Sequence, residues 1–242
     1  GARVEAQLES VVGRFAHQFD PKRKASLWGG FAMDGDRVEQ QRVIKAFGAS
    51  PRMAAFLGTG SGKSATSIGA FTTAHDKGEV KKGVFVVPTA VQAQFAGEMQ
   101  QFTEPGRYRW QTGEGLDHEG RLEALRNPDV HMAVLTHQSV RDTVAKAMAD
   151  HFGREPQKMQ REFLQADDDT RAAWVRKALE ANRIDPAFLY IDEAHQVTAR
   201  TEGEGESMLS AVMHALAHPK NSTHVLAGTA TPHKNDTSEM LS

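Results

Sequence analysis

Gly58-Thr59-Gly60-Ser61-Gly62-Lys63-Ser64 directly follows the apolar run Met53–Leu57. Closely spaced glycines let backbone N–H groups converge on an anion, and a helix beginning at their end adds its positive dipole terminus. This is a phosphate cradle. Lys63 would reach the β- and γ-phosphates of a nucleotide, and the Ser64 hydroxyl would join a Mg²⁺ shell. The strict phosphate-loop pattern has glycine at position 57, where this chain has Leu57, so Gly58 would take over that turn. The plainer reading is a glycine-rich strand-to-helix loop, a coincidence expected in about 1% of chains this long.

Leu189-Tyr190-Ile191-Asp192-Glu193-Ala194-His195 ends an apolar run in two adjacent carboxylates. Asp192 could hold a Mg²⁺ shell, and Glu193 could orient and deprotonate an attacking water. Mg²⁺ accepts such a sparse site, completed by water and phosphate. Taken alone, the pair reads equally as two solvated acids at a strand end. Taken with the glycine-rich loop, it supplies the second half of one Mg·ATP site. That reading requires Lys63 and the Asp192/Glu193 pair to converge at adjoining strand tips.

The elements that must position these residues are legible as a repeat. Short apolar runs at Met53–Leu57, Val84–Val87, Met132–Leu135, Phe188–Ile191 and His224–Ala227, with a weaker one at Tyr108–Gln111, alternate with polar turns and helical segments. Buried parallel strands with helical crossovers have this pattern, and they bind ligands beyond their carboxyl ends. Helices are expected at Ser64–His75, Val91–Phe102, Gly120–Arg126, Ser139–Phe152, Gln157–Gln165, Thr170–Asn182 and Glu206–Ala217. Residues 151–186 carry two helices where a crossover needs one, so part of them reads as an insertion. Ala199–Glu206 is acidic and glycine-rich and reads as a mobile loop. Residues 2–19 place Val4, Leu8, Val11, Val12, Phe15 and Phe19 on one helical face, an N-terminal helical arm followed by a basic loop to about Asp36.

The 242 residues suit one large α/β domain or two small ones, with 39% hydrophobic and 25% charged residues as in an ordinary globular protein. A net charge of −2 argues against a module that simply coats nucleic acid. The absence of cysteine removes disulfides and thiolate metal sites and fits a reducing, cytoplasmic setting. No apolar run approaches membrane-spanning length, and the N-terminal residues show no basic segment followed by an apolar core, so no secretory signal is visible.

With these motifs in order, the chain resembles the first RecA-like domain of superfamily 2 helicases of the DEAH type. Leu57–Ser64 resembles motif I, which in that family tolerates a non-glycine first residue. Asp192-Glu193-Ala194-His195 matches motif II, Pro88-Thr89-Ala90-Val91-Gln92-Ala93-Gln94-Phe95 resembles motif Ia, Thr136-His137-Gln138-Ser139 motif Ib, and Gly228-Thr229-Ala230-Thr231-Pro232 motif III. Arg37-Val38-Glu39-Gln40 resembles the upstream segment whose glutamine reads adenine. The resemblance covers about residues 37–235 and implies an α/β, RecA-like (P-loop NTPase) sheet, mostly parallel and flanked by helices, over 37–242.

It also implies roles. Gly58, Thr59, Gly60, Ser61, Gly62, Lys63 and Ser64 would hold ATP, and Ser64 and Asp192 would hold Mg²⁺. Gln40, or else Gln41, would read the adenine edge. Pro88, Thr89 and Thr136 would face a nucleic-acid backbone; helix capping by Thr89 and Thr136 uses the same groups, so both readings can hold together. His195, Thr229 and Thr231 would couple the ATP site to the nucleic-acid track. The implied activity is an ATP-driven motor on nucleic acid, with DNA favoured over RNA, in a bacterial, phage or mobile-element setting. The chain stops just after motif III, so a second RecA-like domain with an arginine finger is expected outside it. Alone it should bind ATP and hydrolyse it slowly. Two other classes stay open: a P-loop phosphotransferase on a small molecule, and a nucleotide-gated scaffold without turnover.

Weaker features have plainer readings. Arg107-Tyr108-Arg109-Trp110 could stack bases, but its period of two suits a half-buried strand better. His214 and His218 have metal-compatible spacing, yet a zincin would need glutamate where Ala215 stands, so both read as ordinary helix residues.

Overall fold

The valine-rich run Gly83–Val87 is buried at every position, as is Met132–Thr136. Strands this apolar must be covered on both faces, which places them inside a sheet rather than at its edge. In the computed structural model, residues 38–56, 62–198 and 206–229 are described. They form a six-stranded, wholly parallel sheet: β1 (Arg52–Phe56), β2 (Gly83–Val87), β3 (Trp110–Thr112), β4 (Met132–Thr136), β5 (Phe188–Ile191) and β6 (His224–Thr229). The strand order is β1-β6-β5-β2-β4-β3.

Alternation along the strands sorts side chains to two cores. Phe85, Val87, Val134, Phe188, Tyr190 and Leu226 face one side, covered by α1 (Val38–Ala49), α2 (Lys63–Asp76) and α3 (Gln92–Phe102). Val84, Val86, Leu135, Leu189, Ile191 and Val225 face the other. That side is covered by α4 (His118–Arg126), α5 (His137–Phe152), α6 (Pro156–Gln165), α7 (Asp168–Ala181) and α9 (Met208–Ala217). A short α8 (His195–Thr198) follows the acidic turn.

The sequence pattern missed α1, whose Ile44 and Phe47 are buried. Its signal was the spacing of Val43, Ile44 and Phe47. The weak third run is shorter and later than expected: Arg107, Tyr108 and Arg109 precede β3. Tyr108 is buried and donates to Asp76 Oδ1 at 2.5 Å, while Arg107 pairs with the same carboxylate. The alternation was therefore real, but it belongs to an approach segment clamped to the end of α2.

The two helices read as an insertion, α6 and α7, lay Met159, Phe163, Val175, Ala178 and Leu179 into the same core as α5 and α9. One side chain fastens this layer. Arg171 donates to the carbonyls of Phe163 (2.9 Å) and Leu164 (2.6 Å), and to the carboxylate of Glu206. Glu206 also accepts from Ser210 and His214, each at 3.1 Å. Glu206 is thus an anchored, largely buried residue and not part of a mobile loop. Residues 199–205 and the N-terminal arm lie outside the described residues.

Candidate nucleotide site

All the sequence motifs that fall on described residues lie at the carboxyl ends of the parallel strands. Gly62 is in the left-handed region at φ 79°, and α2 begins at the next residue, Lys63. A Cβ at Gly62 would stand 2.0 Å from Gln40 Nε2, so the glutamine amide occupies the space the glycine leaves. Gln40 is buried, whereas Gln41 is only half-buried. The N-cap residue of α2 is Gly62, which has no side chain to cap the helix, and a helix start of this kind suits an anion. Ser64 is half-buried in the first turn. Gly58, Thr59, Gly60 and Ser61 lie outside the described residues.

The acidic turn is held by its backbone. Asp192 N–H donates to Val86 O at 2.8 Å, tying the turn to β2, and Ala194 N–H donates to Gly228 O at 2.9 Å, tying it to β6. Between them Glu193 adopts φ 48°, a left-handed conformation uncommon for a residue with a side chain. Asp192 is buried, and its Oδ1 accepts from the Tyr190 hydroxyl at 2.9 Å. Burial pushes the Asp192 carboxyl above its ordinary range, opposed by the Tyr190 hydrogen bond and the Lys63 charge. The fully buried Tyr190 hydroxyl is raised by burial and by Asp192. A Cβ at Gly228 would lie 2.9 Å from Tyr190 Oη, so glycine there leaves the phenol its place. Sequence reasoning overlooked Tyr190, although the two-residue spacing puts it on the same strand face as Asp192.

Lys63 Nζ meets Glu193 Oε1 at 2.6 Å. The glycine-rich loop and the acidic turn therefore converge, but not at adjoining strands as expected. β6 lies between β1 and β5, so the strand tips are about 10 Å apart, two strand spacings. The long side chains of Lys63 and Glu193 bridge that gap. The intervening strand brings Thr229 into the group: His195 Nδ1 lies 3.0 Å from Thr229 Oγ1 and 3.3 Å from Glu193 Oε2. Lys63, Glu193, His195 and Thr229 form one continuous polar chain. Thr231 lies outside the described residues.

Among the residues expected to face nucleic acid, Pro88 is half-buried and Thr89 is exposed at the tip of β2. Thr136 is buried, and its hydroxyl accepts from Ser139 N–H at 3.1 Å as the N-cap of α5. The capping reading therefore describes Thr136, and the exposed side chain at that end is Gln138. His137, quoted within the motif but given no task, is buried. Its Nε2 lies 2.9 Å from Asp192 O. Burial holds its imidazole below the usual range.

Residues 36–234 match the family described as type III restriction enzyme, res subunit. The chain belongs to this family. It is a RecA-like domain of the superfamily 2 helicase kind. The fold is also that of a solved structure, the Sulfolobus solfataricus SWI2/SNF2 ATPase core in complex with dsDNA. The TM-score is 0.51 at 14% identity, over 84% of this chain and 33% of that one. This chain thus spans about a third of that structure's length. No curated protein matches the sequence.

Proposed function

We propose that this res-subunit-family chain is the ATP-binding half of a DEAH-type motor that moves on nucleic acid, DNA in preference to RNA. The observation that carries the reading is the 2.6 Å contact between Lys63 and Glu193 across the tip of β6. It brings a phosphate-seeking cation and a carboxylate base to one point, beside an uncapped helix N-terminus. The donor set suits Mg·ATP. Among the described residues no cluster of three or more acidic or histidine side chains could grip a metal by itself. One carboxylate, Asp192, and one hydroxyl, Ser64, are what Mg²⁺ takes when phosphates and water complete its shell. When bound, Mg²⁺ neutralises triphosphate charge and orients it for in-line attack.

The chain's own residues would then act as follows. Lys63 exchanges Glu193 for phosphate oxygens, and the first N–H groups of α2 hold the same anion. Glu193, released, orients a water and takes its proton. Gln40, seated against Gly62, is close enough to the cradle to read an adenine edge. His195 and Thr229 link Glu193 to β6, whose continuation carries Thr231, so the protonation and position of Glu193 are felt at the strand end. Thr89 would contact phosphate backbone without reading sequence. A second RecA-like domain would close over the nucleotide and supply an arginine finger.

The preference for DNA rests on the family's description as a restriction-enzyme subunit and on the dsDNA held by the SWI2/SNF2 core of similar fold. The test is ATPase turnover of the full-length protein with single- and double-stranded DNA and RNA, beside Glu193→Gln. The motor reading expects stimulation by nucleic acid, greatest with DNA, and loss of turnover in Glu193→Gln. Turnover indifferent to every nucleic acid would favour a small-molecule phosphotransferase. ATP binding with no turnover at all would favour a scaffold.

A further inference from the structure

The Asp192–Glu193 peptide is the hinge of the acidic turn. Its orientation sets φ of Glu193, and that angle, 48°, is one that residues with a side chain seldom adopt. Such a conformation persists where neighbouring groups over-determine it. The N–H of Asp192 is held by Val86 O, and the N–H of Ala194 is held by Gly228 O. Neither bond touches the Asp192–Glu193 peptide itself, whose N–H is met by the Asp192 carboxylate. Its carbonyl is the Asp192 O that faces His137 Nε2 at 2.9 Å. A carbonyl can only accept, so the imidazole must carry its proton on Nε2.

We infer that His137 is the positioning residue that holds the Asp192–Glu193 peptide in place, keeping Glu193 left-handed and its carboxylate directed at Lys63. His137 acts through the Asp192 carbonyl on Glu193. It does so from a distant part of the sheet. β2 lies between β4 and β5, so the first residue of α5 reaches across the tip of β2 to reach the turn. On one side of that ring is the exposed Gln138, and on the other the buried cap Thr136. Thr89 is exposed just beyond the end of β2, the strand that lies between β4 and β5. The start of α5 is thus joined to the peptide that carries the base through the His137 hydrogen bond. A shift of the α5 start would release the peptide and let Glu193 relax away from its reacting position. This deepens the motor reading and depends on it.

The experiment compares the full-length wild type with His137→Gln, which keeps a donor near the Nε2 position, and His137→Phe, which keeps the ring volume without one. Steady-state ATP hydrolysis is measured with saturating duplex DNA. Outer partners of catalytic ligands typically change activity by about 10–100-fold when removed. His137→Phe should therefore lose kcat at least about tenfold, with the KM for ATP within about twofold. His137→Gln should stay within about threefold of wild type. A structural role alone would move both variants alike and would not split kcat from KM. Should His137→Phe not fold, the wild type decides by ¹⁵N-histidine NMR, with the His137 signal assigned by its absence from His137→Gln. The Nε2–H tautomer is expected, and the Nδ1–H tautomer overturns the proposal. Wild-type turnover stimulated by DNA, with His137→Phe unchanged or His137→Gln as slow as His137→Phe, overturns the His137 proposal alone. Wild-type turnover indifferent to DNA and RNA overturns the motor reading and this proposal with it.

Discussion

Glu206→Gln tests whether the helical layer over the second core is fastened by charge. Glu206 holds its carboxyl at about 2, far below its usual 4.5, because of the His214 hydrogen bond and the Arg171 pair, with burial opposing both. Its side chain is 14% exposed, so water still screens part of the charge. A displacement of that size corresponds to at most about 3 kcal/mol of folded-state stabilisation. Removing one partner of a buried pair costs about 3–5 kcal/mol, and less, about 2–3 kcal/mol, where Arg171 keeps Asp168 at 3.4 Å and the carbonyls of Phe163 and Leu164. The chain should therefore melt about 4–12 °C lower at pH 7. The sign with pH is fixed by a folded pKa below the unfolded one. The stabilisation is complete above about pH 5.5, shrinks as pH falls through 4.5, and is gone below about 2. Urea melts of wild type and Glu206→Gln at pH 7, 5 and 3 measure this directly. A difference under about 1 kcal/mol at pH 7, or one that does not narrow by pH 3, would refute the reasoning. Adding Arg171→Met to Glu206→Gln should recover part of the loss.

Gly62→Ala should weaken ATP binding at least about tenfold in a fluorescent-nucleotide titration. The new methyl collides with the Gln40 amide, and φ 79° is unfavourable by about 1–2 kcal/mol for alanine. Wild-type affinity in that variant would mean the cradle lies elsewhere. Thr89→Val should weaken DNA binding without lowering the melting temperature, as a lost exposed phosphate contact would. Thr136→Val should instead cost about 1 kcal/mol of stability through the lost N-cap, read as a drop of about 2–4 °C. The reverse pattern would exchange the tasks of the two threonines.

Much of this architecture was legible because buried parallel strands announce themselves. Val84–Val87 and Phe188–Ile191 are apolar throughout, and the polar residues that follow them had to lie along one sheet edge. The strand order was not legible. Nothing in the local pattern says that β6 separates β1 from β5, so Lys63 and Glu193 were expected at neighbouring tips rather than across a third strand. Residues whose roles depend on distant partners were also hidden. Glu206 sits in an acidic, glycine-rich stretch and looks solvated, because Arg171 and His214 approach it only in the folded chain. His137 looked like a bystander for the same reason, since its partner is a backbone carbonyl 55 positions away. Thr136 shows the opposite limit: phosphate contact and helix capping use one hydroxyl, and in the structure that hydroxyl caps α5. α1 was overlooked because its apolar stripe is short.

The most direct measurement is a crystal structure of the protein with Mg²⁺ and a non-hydrolysable ATP analogue. Lys63 should leave Glu193 for the terminal phosphates, with Asp192 and Ser64 at the metal and the triphosphate lying over the start of α2. A nucleotide bound away from that helix, with the Lys63–Glu193 pair still closed, would contradict the assignment of these residues to one catalytic centre.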